Sequence, residues 1–76
     1  MTAYILIQTE VGMAGQVAKA LSQIEGILSA EGVAGPYDVI AKVDAPTVDQ
    51  LGQLVVAQVQ AIEGITRTLT CSVVRL

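Results

Sequence analysis

One tetrapeptide occurs twice in this chain. Residues 24–27 and residues 62–65 both read Ile-Glu-Gly-Ile, and the two copies lie half a chain length apart in a sequence of 76 residues. Extending the alignment towards the N-terminus pairs Val17 with Val55 and Leu21 with Val59, so an apolar helical stripe leads into each copy. We interpret the chain as a duplicated unit, joined at its centre by residues 35–38.

The first half has the pattern strand, helix, strand. Tyr4–Ile7 is a continuous apolar run that includes β-branched residues, which predicts a strand covered on both faces. Apolar residues then follow helical spacing from about Gly12 to Ile24, and Gly26 is expected to end that helix. A second strand is predicted over residues 27–34.

The second half repeats this pattern. We predict a strand at Val39–Val43, a helix that begins where Thr47 and Gln50 have capping-box spacing, and a final strand from Thr66 to Leu76. The order β-α-β-β-α-β predicts an α+β, ferredoxin-like fold, a four-stranded antiparallel sheet with two helices on one face. The apolar stripe of the second helix is Val48, Leu51, Val55, Val59 and Ile62.

The composition is too apolar for one small core. Hydrophobic residues make up 53% of the chain, charged residues only 14%, and the mean hydropathy is +0.63. A chain of this length folds as a single domain, here residues 1–76, and buries only about 60% of the surface that its unfolded form exposes. We therefore expect the uncovered sheet face to be buried against another copy of the chain, so that two sheets pack face to face.

The charge and residue types exclude several functions. The net charge is −3 and the four Lys and Arg residues are scattered, which argues against direct nucleic-acid binding. With no His and one Cys, the usual zinc sites cannot form; an all-carboxylate site remains open, although no loop repeats acidic residues at ligand spacing. We predict no cofactor. A single Cys suits a reducing cytoplasm, and no apolar run approaches the roughly 20 residues of a membrane span.

The central Gly35-Pro36-Tyr37-Asp38 has two interpretations. Gly-Pro is a common turn dipeptide, and Asp often closes turns by accepting hydrogen bonds from nearby backbone N–H groups. Alternatively, the turn forms part of a small-ligand pocket. The Asp38 carboxylate would then accept from an amine, and backbone N–H groups near Gly35 and Tyr37 would donate to a carboxylate. The residues alone leave both interpretations open.

The last strand carries a row of hydroxyl groups. Thr66, Thr68, Thr70 and Ser72 alternate with other residues, which suits a surface that packs and also hydrogen-bonds, against another subunit or a ligand. Cys71 is expected to be a small core residue, because the chain has no His to activate it as a nucleophile. No acid–base couple is recognisable from the spacing, and we predict that the chain is not an enzyme.

Three features together resemble the effector-binding (RAM) domain of the Lrp/AsnC regulators over essentially all 76 residues. They are the central Gly-x-x-Asp, the Ile-x-Gly-Ile followed by Thr-Arg-Thr-Leu-Thr, and the helix spacing between them. The resemblance implies dimerisation through the sheets as a dimeric α+β barrel, assembly of dimers into octamers or decamers, and amino acids or related metabolites bound between neighbouring dimers. The ligand-site residues that it implies are Gly35, Tyr37, Asp38, Val48, Thr68, Thr70, Cys71 and Ser72.

Full members of that family carry an N-terminal helix-turn-helix, whereas this chain begins directly at the first strand. We therefore expect a stand-alone effector module related to transcription regulation, which would act by co-assembling with full-length Lrp/AsnC regulators. Two alternatives remain open at this stage. One is a purely structural oligomerisation partner, and the other is a small enzyme of the dimeric α+β barrel type.

Overall fold

The computed structural model describes all residues, 1–76, and contains four strands and two helices. The order β-α-β-β-α-β confirms the predicted fold class. The second helix continues as a π-helical segment over Val55–Val59. The elements are β1 (Thr2–Thr9), α1 (Ala14–Leu21), β2 (Ile27–Gly32), β3 (Val39–Asp44), α2 (Val48–Leu54) and β4 (Ile65–Ser72).

The two halves of the chain interlock in one sheet. The strand order is β2-β3-β1-β4, and all neighbouring strands are antiparallel. Each half therefore supplies one central strand and one edge strand. The edge strand of each half pairs with the central strand of the other half, so neither half can build its part of the sheet alone.

The core lies between the helices and one face of the sheet. Val17, Leu21 and Val59 are completely buried and Val55 is 8% exposed, which confirms the two residue pairs expected from the repeat. The predicted cap of α2 is also present, since the Gln50 backbone N–H donates to Thr47 Oγ1 at 3.1 Å. The sheet contributes fully buried residues from its two central strands, namely Ala3, Ile5, Ile7, Val39, Ala41 and Val43.

The predicted ends of several helices and strands are wrong, because hydrogen bonds with other parts of the chain determine where these elements end. Helix α1 ends at Leu21 and the chain then turns, with the Ile24 N–H donating to the Leu21 carbonyl at 3.0 Å. Strand β2 ends at Gly32, where the chain turns into the joint. Strand β4 ends at Ser72, which pairs with Ala3. Strand β1 begins only one residue before Ala3, at Thr2, so it offers almost no partner to the residues that follow Ser72.

Only one face of the sheet is covered within the chain. The prediction that β1 is covered on both faces is therefore wrong for the single chain. Tyr4 and Leu69 lie on the face opposite the helices and are 41% and 48% exposed. The strand register places Leu6 between Ile40 and Leu69, and Tyr4 beside Cys71, on this same face. We call the surface formed by Tyr4, Leu6, Ile40, Leu69 and Cys71 the open sheet face.

The two repeated glycines tie the halves together in the same way. Gly26 and Gly64 follow the two helices, and each has φ of 98°. The Gly26 carbonyl accepts a hydrogen bond from Asp44 N–H at 2.9 Å, and the Gly64 carbonyl accepts one from Glu10 N–H at 2.8 Å. Asp44 and Glu10 stand at the ends of the central strands, each in the opposite half. The repeated Ile-Glu-Gly-Ile thus marks two equivalent turns, each bonded to the other half.

Neither helix has the length and the apolar character that crossing a lipid bilayer would require.

We predict that Gly26→Ala and Gly64→Ala each lower the free energy of unfolding by about 1–3 kcal/mol, because a side chain at this positive φ is strained. Crowding adds to the cost: a Cβ at Gly26 would lie 3.2 Å from the Asp44 carbonyl oxygen, and one at Gly64 would lie 2.8 Å from Met13 Cε. Urea unfolding at one fixed protein concentration, followed by circular dichroism, measures the effect.

Gly15→Ala is the matched control for this prediction. Gly15 lies in α1, its φ is not positive, and a Cβ there would meet nothing within 4 Å. The substitution should raise stability by about 0.4–1 kcal/mol, because it restricts the unfolded chain without straining the folded one. Wild-type stability in Gly26→Ala would contradict the role assigned to the repeated turns.

Candidate functional site

Asp38 closes the central turn and holds it against β1. Its backbone N–H donates to the Ile7 carbonyl at 2.8 Å, and its carbonyl accepts from Val33 N–H at 2.9 Å. Its side-chain Oδ2 accepts from the Thr9 backbone N–H at 2.8 Å. The turn-closing interpretation of this residue is therefore confirmed. The other carboxylate oxygen, Oδ1, has no hydrogen-bond partner within the chain.

The rest of the turn presents unused backbone donors. Gly35 is exposed and Tyr37 is half-buried, and neither backbone N–H donates a hydrogen bond within the chain. The Gln8 side chain fixes the turn between them by donating from Nε2 to the Pro36 carbonyl at 2.9 Å. A carboxylate oxygen and two free N–H groups are thus held on one anchored loop, as the ligand interpretation requires.

The strand register brings Thr68 to the same end of the sheet as Asp38. Ile7 of β1 pairs with Val39 on one side and with Thr68 on the other. Since neighbouring strands lie about 4.8 Å apart, Val39 and Thr68 are separated by roughly 10 Å. Thr70 pairs with Ile5 further along β4. Both threonines share the helix-side face with their buried partners, but β4 is an edge strand and Thr70 is exposed.

Three of the expected site residues lie elsewhere. Ser72 pairs with Ala3 and Val48 follows the end of β3, so both belong to the opposite end of the sheet from Asp38. Helix α2 begins at Val48, the first residue of the predicted apolar stripe, but Val48 itself is 67% exposed. The third residue, Cys71, lies on the open sheet face. One chain therefore does not bring the whole expected set together.

Cys71 is not a core residue as predicted. It is a free cysteine that lies exposed on the open sheet face, directly opposite Tyr4. The alternation along β4 places it with Leu69 on the side that the helices do not cover, and a sequence pattern cannot tell which of two alternating sets faces the helices. Its exposure within the chain follows from the uncovered face.

Gln60 is a candidate residue that the sequence analysis missed. Its Nε2 donates to Thr68 Oγ1 at 3.2 Å, which links the end of the π-helical segment to β4. A cavity of about 230 Å³ lies beside this contact, lined by Gln60, Ile65, Thr66, Arg67 and Thr68. The sequence gives only a weak signal for this role, namely that Gln60 is a polar residue directly after the core residue Val59. Polar residues are common at helix ends, so this position does not indicate a site.

One charged residue lines this cavity. Arg67 is the only charged residue that lines it, and Arg67 forms no ion pair within the chain. No three His, Cys, Asp or Glu side chains come together as metal ligands. Arg67 pairs with Gln8, so its side chain lies on the same side of β4 as Leu69 and Cys71, and the cavity is lined mainly by uncharged groups.

A shallow groove runs along the outward face of α2 and of the π-helical segment that follows it. It is lined by residues on two adjacent helical rows, and Val48 and Val56 in one row are each 67% exposed. Gly52 lies between them, where an added Cβ would meet nothing within 4 Å. The residues lining the groove are Val48, Asp49, Gly52, Gln53, Val56 and Ala57.

Residues 2–75 of the chain match the family described as the Lrp/AsnC ligand binding domain. The chain belongs to this family. An uncharacterised HTH-type transcriptional regulator of Pyrococcus furiosus is 31% identical over 72 residues, which are 91% of this chain and 48% of that regulator. The chain thus spans about half the length of this curated relative. The family resemblance drawn from the central Gly-x-x-Asp and the Ile-x-Gly-Ile is confirmed.

Solved structures share the fold of this Lrp/AsnC domain. A crystallised protein of Thermus thermophilus superposes with a TM-score of 0.92 at 28% identity, over 99% of this chain and 94% of that one. A transcriptional regulator of Neisseria meningitidis, solved as a complex with L-Met, superposes with a TM-score of 0.86 at 14% identity. That match covers 97% of this chain and 49% of the regulator.

We predict that Asp38→Ala lowers the free energy of unfolding by about 1–3 kcal/mol, because the Thr9 N–H loses its acceptor in a partly buried place. Asp38→Asn should retain most of the stability, since the amide oxygen can still accept that hydrogen bond. Glu25→Ala, at an exposed position with no side-chain hydrogen bond, is the control and should change little. Urea unfolding of the three variants measures the differences. Equal losses in the Ala and Asn variants would show that the carboxylate charge, and not the accepted hydrogen bond, stabilises the turn.

Proposed function

We propose that this Lrp/AsnC domain binds a small amino acid, or a closely related metabolite, as the effector module of a transcription-regulating assembly. The observation that carries the proposal is the turn at residues 35–38. Asp38 Oδ1 is free to accept from an ammonium group, and the free N–H groups of Gly35 and Tyr37 are available to donate to a carboxylate. An α-amino acid carries both groups on one carbon atom, Cα.

The Neisseria regulator supports this ligand class, because that protein was solved with L-Met bound. The fold that the two proteins share includes a connection between the second and third strands, where the turn of this chain lies. Two observations favour an amino acid over other zwitterions. The chain belongs to the Lrp/AsnC ligand binding domain family, and the turn holds the Asp38 carboxylate together with free backbone N–H groups.

The proposed site is completed by a second copy of the chain. Gly35, Tyr37, Asp38 and Thr68 lie at one end of the sheet, with Thr70 further along β4. The remaining expected residues lie towards the other end or on the open sheet face. A ligand small enough to be held by the turn cannot reach both groups within one chain. A contact between copies, with the turn of one beside α2 and β4 of another, would bring the two groups together.

The open sheet face is the proposed dimer surface. Its apolar side chains have no cover within the chain, and exposed β-sheet faces of this kind pack well against each other at about 10 Å. A stable interface buries about 800 Å² per partner. Two such faces packed together would give the dimeric α+β barrel expected from the family, and further contacts between dimers would give octamers or decamers.

A second candidate function is a purely structural oligomerisation partner that binds no effector. One observation favours it: Asp38 already has a structural task, because its Oδ2 accepts from Thr9 N–H. An enzyme of the same barrel type is the weakest candidate, since the Pyrococcus relative is a transcriptional regulator.

We predict that Leu69→Glu dissociates the assembly. Leu69 lies on edge strand β4 and pairs with Leu6 on the open sheet face, and a carboxylate buried there between two copies would carry a large desolvation cost. Light scattering at micromolar concentration should give an oligomeric mass for the wild type and the mass of one 7.9 kDa chain for the variant. Val11→Glu is the control, because Val11 is fully exposed outside the open sheet face. A wild-type mass of one chain, or an unchanged mass for Leu69→Glu, would contradict the proposed surface.

We predict that Asp38→Asn weakens amino-acid binding by about tenfold to a hundredfold, which corresponds to losing a charge-assisted hydrogen bond of roughly 1.5–3 kcal/mol. Calorimetry with a panel of amino acids on both proteins measures this, with oligomer mass checked in parallel. Equal affinities would remove Asp38 from the site. If no amino acid binds the wild-type protein, the effector function is wrong and the structural alternative stands.

A further inference from the structure

We propose that Lys42 and Glu31 form ion pairs between two copies of the chain, and that these pairs select the partner that the open sheet face accepts. The inference rests on the dimer surface proposed above, because the pairs form only when a second copy covers that face. It adds the charges that a partner must carry, namely a carboxylate opposite Lys42 and a cation opposite Glu31. A second copy of this chain carries both.

Lys42 lies on a central strand, beside the open sheet face. Buried and half-buried residues alternate along β3, so Lys42 points to the same side as Ile40, away from the helices. The register places it between Tyr4 on β1 and Ser29 on β2. Lys42 is half-buried and forms no ion pair within the chain. The other cation on this side, Arg67, is exposed on edge strand β4. An unpaired cation therefore lies among the apolar side chains of this surface.

Covering this face with a second sheet changes the surroundings of Lys42. An unpaired ammonium group that loses its water carries a large desolvation cost, so a stable interface needs an acceptor for it. Only β2 separates β3 from the edge of the sheet, and the long stem of lysine lets the ammonium group extend towards that edge. The acceptor is therefore expected on the β2 side of the interface.

Glu31 is the carboxylate that remains for this role. It pairs with Ile40 across β2 and β3, so it lies on the same side of the sheet as Lys42. Asp38 and Asp44 follow the same alternation at the two ends of β3, but each already has a partner. Asp38 accepts from the Thr9 N–H, and Asp44 lies 3.6 Å from the terminal amino group. Glu31 is exposed and forms no ion pair within the chain.

The geometry points to pairs between copies rather than within one chain. Within one chain Glu31 and Lys42 are diagonal neighbours on adjacent strands, about 7–8 Å apart, and they form no ion pair there. Two sheets packed face to face lie about 10 Å apart, and Lys and Glu side chains that point at each other across this gap can meet. In a two-fold dimer each such contact occurs twice, because Lys42 of either copy meets Glu31 of the other.

The test is charge reversal, with the mass of the assembly measured by light scattering over a range of protein concentrations. Lys42→Glu and Glu31→Lys each place two pairs of like charges in a two-fold dimer, so each should weaken dimerisation by about tenfold to a hundredfold. Lys19→Glu and Glu25→Lys are the matched controls. They make the same changes of charge at exposed positions outside the sheet, and they should dimerise like the wild type.

Mixing the two single variants tests whether the pairs form between copies. In a mixed dimer one copy presents two carboxylates and the other presents two ammonium groups, so both contacts are attractive again. Native mass spectrometry of isotope-labelled Lys42→Glu with unlabelled Glu31→Lys should therefore show mixed dimers in excess over both homodimers. The double variant, which carries both substitutions in one chain, should dimerise with itself like the wild type.

The outcomes separate this proposal from the dimer surface on which it rests. If the double variant dimerises and the mixture does not, the two groups pair within one chain and the proposal is wrong. Unchanged dimerisation of both single variants would also overturn it, and the dimer surface would still stand if Leu69→Glu dissociates the assembly. A wild-type mass of one chain would overturn the dimer surface and the ion pairs together.

Discussion

The exchange of edge strands between the two halves of the chain is the constraint on which the rest of this structure depends. Strand β4 of the second half pairs with β1 of the first, and β2 of the first pairs with β3 of the second. The carbonyls of Gly26 and Gly64 reinforce this exchange by bonding to the ends of the opposite central strands. Both helices are consequently held on one face, and the other face stays uncovered in a domain small enough that uncovered apolar surface is costly.

Sequence periodicity predicted the features that depend on local burial. The repeat correctly paired Leu21 with Val59 in the core, and the spacing of Thr47 and Gln50 predicted a cap that is present. Features that depend on non-local pairing could not be read in this way. Strand β4 stops where its partner ends, and Cys71 is exposed because the register places it away from the helices. The π-helical segment left no recognisable pattern in the sequence.

The central turn shows that a sequence motif can predict the position of a turn without determining the function of its residues. The sequence correctly located a turn whose Asp38 accepts a backbone hydrogen bond. One carboxylate oxygen fixes the turn and the other is free, so the structural and ligand-binding interpretations of Asp38 are compatible. The sequence could not show that Val48 and Asp38 lie at opposite ends of the sheet, since that separation follows from strand order. It is this separation that makes a second copy of the chain necessary for the proposed site.

We propose that copies of this chain pair through the open sheet face, and that an amino acid binds where the central turn of one copy lies beside another copy. Native mass spectrometry of the protein in a mixture of the common amino acids measures both the number of chains in the assembly and the mass of any bound amino acid. We expect an assembly with an even number of chains that carries bound amino acid, with no more than one per chain at the turn. A spectrum of single chains, or of assemblies with the bare protein mass, would contradict it.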